Sequence, residues 1–154
     1  MGEKVRGAQV LDLYAGSGSL GIEALSRGAE EVLFIDSSQA AVEVIEKNLK
    51  DLDISDKANV IKGSVINELY RLAESGLIFD LIFLDPPYSI NVAKLRDVFS
   101  LMTKCCDSTG LIILEFGTDL SESLVTSIKE IDKRKYGVTR VYFFKKQTNA
   151  SSQY

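Results

Sequence analysis

The chain has 154 residues, 45% of them hydrophobic, and its 18 Lys and Arg against 22 Asp and Glu give a net charge of −4. That length suits one domain with a sizeable core, and the acidic balance leaves the chain as a whole without a basic footprint for nucleic acid. Histidine is absent, which excludes Ser-His-Asp hydrolysis, His-paired cysteine chemistry and HExxH metal sites.

The two cysteines, Cys105 and Cys106, are adjacent; they suit neither an ordinary disulfide nor a zinc site and are expected as buried thiols on a helix. With no 18-residue apolar run and no charged-then-apolar leader, a cytoplasmic protein without a membrane span is expected.

In chain order, apolar runs alternate with helical periods. Residues 8–14 read as a first strand and 19–27 as a first helix, with Gly28 at its C-cap. Residues 31–36 form a second strand. Ser37 or Ser38 caps a second helix in which Ala41, Ile45, Leu49 and Leu52 recur on one face. Residues 59–62 are a short third strand, and Ile66, Leu69 and Leu72 mark a third helix ending near Gly76. Residues 79–84, apolar apart from Asp80, read as a central fourth strand. Leu95, Val98, Phe99 and Met102 keep the spacing of a fourth helix, 110–116 is a fifth strand, and Leu124, Ile128 and Ile131 mark a fifth helix. Residues 133–136 and 138–146 are too close for a helical crossover and are expected to pair as an antiparallel hairpin around Gly137. The expected domain is 1–146, followed by a polar, frayed tail over 147–154. Repeated strand–helix units predict a Rossmann-like, doubly wound, mostly parallel α/β sheet with helices on both faces and ligands beyond the carboxyl ends of its strands.

Three signals converge on that edge. The run Asp12-Leu13-Tyr14-Ala15-Gly16-Ser17-Gly18-Ser19-Leu20-Gly21 closes an apolar strand on an aspartate and turns through glycines into a helix. Gly16 and Gly18 let a ligand lie against bare backbone, and Gly21 falls where the helix must pack closely on the strand. A glycine-rich turn that binds nothing has the same spacing. Asp36 ends the second strand twenty residues beyond Gly16, the separation at which a carboxylate accepts from the ribose hydroxyls of a nucleoside, although an aspartate opening the next helix would also stand there. A dinucleotide site aims its helix N-terminus at a pyrophosphate, whereas Asp12 brings negative charge to the same mouth and disfavours an anion. The sulfonium and ammonium of S-adenosylmethionine suit it; the alternative is an aspartate satisfied by local backbone amides.

The third signal, Asp85-Pro86-Pro87-Tyr88, follows the fourth strand. Two prolines fix the backbone, remove two N–H donors and leave carbonyls facing the cleft. An exocyclic amino group on a nucleobase is a poor nucleophile. If the Asp85 carboxylate and the Pro86 carbonyl accept its two N–H bonds, they orient the nitrogen and stabilise the positive charge that develops as it attacks a methyl group. Tyr88 offers a face on which an extruded base stacks. The competing reading is a rigid loop with Tyr88 in the core.

Residues 12–29, continuing through Glu23-Ala24-Leu25-Ser26-Arg27-Gly28-Ala29, together with Phe79-Asp80-Leu81-Ile82-Phe83-Leu84-Asp85-Pro86-Pro87-Tyr88, resemble the RsmD family of class I S-adenosylmethionine-dependent methyltransferases, which methylate guanine N2 in bacterial 16S ribosomal RNA. The likeness runs from about Gly7 to Phe144. It implies seven strands with the last antiparallel, S-adenosylmethionine as cofactor, and the small ribosomal subunit or its RNA as partner. It places Asp12 and Gly16 to Gly18 at the methionine part, Asp36 at the ribose and Gly63-Ser64-Val65 at the adenine. The implied cofactor-facing set is Asp12, Tyr14, Ala15, Gly16, Ser17, Gly18, Asp36, Ser37, Gly63, Ser64, Val65 and Asp85, with Asp85, Pro86 and Tyr88 catalytic. Ser64 stands where the family usually has an adenine-binding aspartate. The family also carries a basic N-terminal extension, and this sequence starts only a few residues ahead of the first strand, so a shortened chain with weak RNA affinity is expected. Adenine N6 or another amino or amide nitrogen remains an alternative target, and a non-catalytic cofactor- or RNA-binding module an alternative class.

Overall fold

The computed structural model describes residues 2–120 and 128–147. A short helix α1 (Gly2–Val5) leads into β1 (Gln9–Leu13), and the chain then runs α2 (Ser19–Ser26), β2 (Glu31–Asp36), α3 (Gln39–Asp51), β3 (Ala58–Lys62), α4 (Val65–Ser75), β4 (Phe79–Leu84), α5 (Val92–Lys104), β5 (Cys106–Phe116), β6 (Ile128–Tyr136) and β7 (Thr139–Lys146). The seven strands form one sheet in the order β3-β2-β1-β4-β5-β7-β6. β1 pairs in parallel with β2 and β4, whereas β7 runs antiparallel to both β5 and β6. The order reverses at β1, between β2 and β4, so the loops after β1 and β4 open on the crevice where such sheets bind ligands.

Alternate strand residues feed two cores. Leu11, Leu13, Ile82, Leu84, Ile112 and Leu114 pack with Leu69 of α4 and with Leu95, Phe99 and Met102 of α5. Val10, Val32, Phe34, Leu81 and Phe83 pack with Ala24 and Leu25 of α2 and Ile45 and Leu49 of α3. The period of two along each strand and of three to four along each helix thus converge on the same layers. Side chains fix the helix starts: Ser38, Ser64 and Asn91 accept from Ala41 N, Asn67 N and Lys94 N at 3.2, 3.5 and 2.8 Å, each satisfying an otherwise orphaned amide.

Three expectations change. Ile128 and Ile131 lie on β6, not on a fifth helix: their i, i+3 spacing imitates a helix, but the chain pairs with β7, and the register shift between Glu130 and Asp132 makes Ile131 the extra residue of a bulge. Cys105 caps α5 and Cys106 begins β5, so only the burial of the two thiols matches the expectation. Leu52 is exposed beyond the end of α3, and Val42 takes its place on the buried face. Leu124 and the tail from residue 148 onward lie outside the described residues. No helix among the described residues is long and apolar enough to cross a membrane.

Candidate active site

The loop from β1 to α2 is built by left-handed backbone. Tyr14, Gly16 and Gly18 have φ of 56°, 59° and 78°; Tyr14 adopts this region at a cost of about 1–3 kcal/mol, which the surrounding structure must sustain. The loop is pinned from below, where Ala15 N donates to Ile35 O (3.1 Å), Gly18 N to Ala15 O (2.8 Å), and Asn48 Nδ2 to Ser17 O (3.2 Å). Asp36 ties three elements together: its Oδ2 accepts from Gly16 N and its Oδ1 from Ser38 N, both at 2.9 Å, while its carbonyl accepts from Gly63 N at 3.0 Å. A carboxylate offers about four lone-pair positions, so both oxygens retain acceptor capacity.

Asp12 is 1% exposed at the end of β1, and its Oδ2 accepts from Gly21 N at 3.0 Å. Loss of hydration drives its pKa up to about 8 despite that bond, with the charges of Asp85 and Asp36 adding to the rise. Near neutral pH the protonated form of Asp12 is therefore favoured in the protein alone, and a cation beside it would favour the anion. The contact depends on Gly21: a Cβ there would stand 2.3 Å from Phe34 Cε1 and 2.9 Å from Val32 Cγ1, so α2 can approach the sheet this closely only without one.

Asp12, Tyr14, Ala15, Gly16, Ser17 and Asp85 line one cleft of about 170 Å³, joined by Ser19, Leu20 and Glu115. Asp85 N lies 3.4 Å from Leu13 O, anchoring the proline turn to the end of β1. Although solvent reaches Asp85, partial desolvation and then the charge of Glu115 push its pKa up to about 6. Pro86 is buried and Tyr88 is 71% exposed, its ring lying over Gly117, where a Cβ would come within 2.5 Å of Tyr88 Cε1. Tyr88 is thus a surface ring on a glycine seat, not a core residue.

Gly18 and Asp36 adjoin this cleft without lining it, and Ser37, Gly63, Ser64 and Val65 lie outside it. They stand one and two strands away, at the ends of β2 and β3, linked to the glycine loop through Asp36. Ser64 caps α4. A carboxylate does stand at that turn: Glu68 is 9% exposed, pairs with Arg71 and has its Oε1 2.8 Å from where a Cβ of Gly63 would lie. Sequence reasoning passed over Glu115, although an acidic residue closing an apolar strand is the same signal that marked Asp36 and Asp85. Leu20, Ser19 and Gly117 carried no such signal, because only the approach of β4, β5 and α2 gives them their neighbours.

A seven-stranded sheet in this order with one antiparallel strand, a glycine loop after β1 and acidic residues closing β2 and β4 is the fold of the class I methyltransferases. The chain belongs to the family described as "Conserved hypothetical protein 95", whose family model matches residues 1–145. It is 35% identical to "Putative rRNA methyltransferase YlbH" of Bacillus subtilis over 92% of this chain and 77% of that protein. It is 41% identical to Ribosomal RNA small subunit methyltransferase D of Haemophilus influenzae, a match covering 56% of this chain and 45% of that protein. Among solved structures, "putative methylase HI0767" of H. influenzae superposes with a TM-score of 0.74 at 28% identity, covering 94% of this chain and 89% of that one. SMU.776, "a putative methyltransferase complexed with SAH", reaches 0.80 at 13% identity, covering 93% and 47%.

Proposed function

We propose that this chain transfers a methyl group from S-adenosylmethionine to an exocyclic amino nitrogen of ribosomal RNA in the cytoplasm, with guanine N2 of the small-subunit RNA as the target. The observation that carries this reading is that Asp85, followed by a proline with no N–H to offer, lines the same cleft as the glycine loop and the buried Asp12. The names of the relatives in the family support the RNA substrate.

The residues fit the cofactor. A cation beside the buried Asp12 would offset its lost hydration and favour its ionised form, and in this reading Asp12 holds the ammonium of the methionine part. Gly16 leaves backbone open to the ligand, whereas a Cβ on Gly18 would meet Ile45 and Phe34 of the core; Asp36 offers spare lone pairs to the ribose hydroxyls, and Gly63, Ser64 and Val65 take the adenine end. The cofactor, when bound, supplies an electrophilic methyl group. Asp85 and the Pro86 carbonyl each accept one N–H of the target nitrogen, fix its direction and hold the charge that grows on it; the Asp85 carboxylate takes the proton the nitrogen loses once methylated, while Tyr88 stacks on the extruded base.

Asp85→Ala should leave S-adenosylhomocysteine affinity within about twofold and cut transfer of tritiated methyl to small ribosomal subunits by a factor of about a hundred or more, since the carboxylate acts mainly in the transition state. Transfer at the wild-type rate would make the proline turn scaffolding. Mass spectrometry of RNA from a deletion strain separates guanine N2 from adenine N6 as the missing modification.

A further inference from the structure

Charge is distributed unevenly along this chain. Residues 128–147, which contain β6 and β7, hold seven Lys and Arg against two Asp and Glu, leaving eleven against twenty in the rest of the sequence. The register sharpens the asymmetry: Lys135 stands directly opposite Arg140, and Lys129 directly opposite Lys145. Like charges facing each other across a ladder destabilise it; Asp119 offsets part of this at Arg140, and an anion lying along the ribbon would relieve what remains. Lysines on an edge strand can serve to prevent pairing with another chain, but that role does not call for opposed cations on the inner strand β7.

The ion pairs within the hairpin are weak competitors. Lys133 reaches Asp119 at 3.0 Å and Arg134 reaches Asp132 at 3.3 Å, both solvent-exposed pairs that contribute little, whereas Arg140 is largely covered and held by Asp119 at 2.7 Å. The hairpin also points to the active site. Its tip exposes Tyr136 (60%) and Val138 (79%), and behind the tip Arg140 Nη1 lies 3.5 Å from the carbonyl of Gly117, the residue on which the Tyr88 ring rests. A basic ribbon with an exposed aromatic tip is therefore continuous with the edge that holds Asp85 and Tyr88.

We infer that the β6–β7 hairpin is the RNA-docking element: Lys133, Arg134 and Lys135 take phosphates flanking the target nucleotide, and Tyr136 stacks on an unpaired base beside it. The inference rests on the methyl-transfer reading for RNA as the polyanion.

The test is binding of the 154-residue chain to a 16S ribosomal RNA transcript over about 50 to 300 mM KCl, comparing wild type with a Lys133→Ala, Arg134→Ala, Lys135→Ala variant. Each lost phosphate contact in single-stranded RNA removes about 0.7 from the slope of log affinity against log salt, so the slope should become shallower by about 2. Affinity at 100 mM should fall about tenfold or more, with S-adenosylhomocysteine binding unchanged. If the triple variant does not fold, Lys135→Glu alone should lower affinity in the same direction. Equal affinity and slope in folded variants, or no salt-dependent RNA binding by the wild type, overturns the docking assignment. Tighter binding to phosphatidylglycerol vesicles than to RNA overturns RNA as the partner. Wild-type chain that binds RNA through the hairpin yet transfers no methyl group overturns the proposed function and leaves the docking element standing.

Discussion

At Asp12, burial and charge oppose each other directly. Its carboxyl is held neutral to about pH 8 in the fold but ionises near 3.8 in the unfolded chain. The unfolded state therefore binds fewer protons across that window, and the Asp12 contribution to stability, full below about pH 4, is lost as pH rises to about 8. Asp12→Asn keeps an acceptor for Gly21 N and removes the titration. Its stability relative to wild type should rise by about 1 kcal/mol or more between pH 5 and pH 8, measured by urea unfolding at both values, while S-adenosylmethionine affinity falls. A difference that does not change with pH would show that Asp12 is not held neutral. Asp85 makes a second pH statement. Its ionised form is the stronger acceptor for the N–H bond it takes, so kcat/KM should climb with pH to a plateau above about 6. Glu115→Gln removes a like charge and should move that inflection to lower pH. An unmoved inflection would assign it to another group.

The element on which the site turns is α2. Its N-cap, Gly18, is left-handed and gives the helix no side-chain cap, so the start of the helix is held by the backbone turn and by the Asp12 contact to Gly21. Gly21→Ala would force a Cβ into the fully buried Phe34 ring. The resulting shift should cost about 1–3 kcal/mol, which lowers the melting temperature of a domain this size by about 2–12 °C. Cofactor affinity should fall with it, because lifting α2 separates Gly21 N from Asp12. Calorimetric melting and ligand titration of one sample check both effects; an unchanged melting temperature would mean that the helix and sheet are not locked at this point.

For the whole molecule, the cofactor reading predicts stabilisation by ligand. S-adenosylhomocysteine at about one hundred times its Kd should add about 2.7 kcal/mol to the folded state, a rise of about 5–11 °C in melting temperature for a domain of this length. NAD should produce none, since Asp85 and Glu115, which line the cleft beside the glycine loop, disfavour a pyrophosphate. A shift with NAD and none with S-adenosylhomocysteine would move the chain to dinucleotide chemistry. The net charge of −4 is a poor guide at this scale, because it averages a strongly acidic body with one basic ribbon.

Local periodicity and glycine and proline chemistry were enough to define the strand–helix alternation, the four long helices α2 to α5, and the edge where Asp12, Asp36 and Asp85 stand. The sequence by itself also marked the hairpin turn at Gly137. Tertiary structure alone decided that residues 128–136 are strand: an i, i+3 pair of isoleucines fits a helix or a bulged ribbon, and only pairing with β7 selects between them. It alone set Lys135 opposite Arg140, brought Glu115 to within charge range of Asp85, seated Tyr88 on Gly117 and buried Asp12 deeply enough to hold a proton. Each of these depends on distances between segments remote in the chain, and no local pattern of residues encodes such a distance.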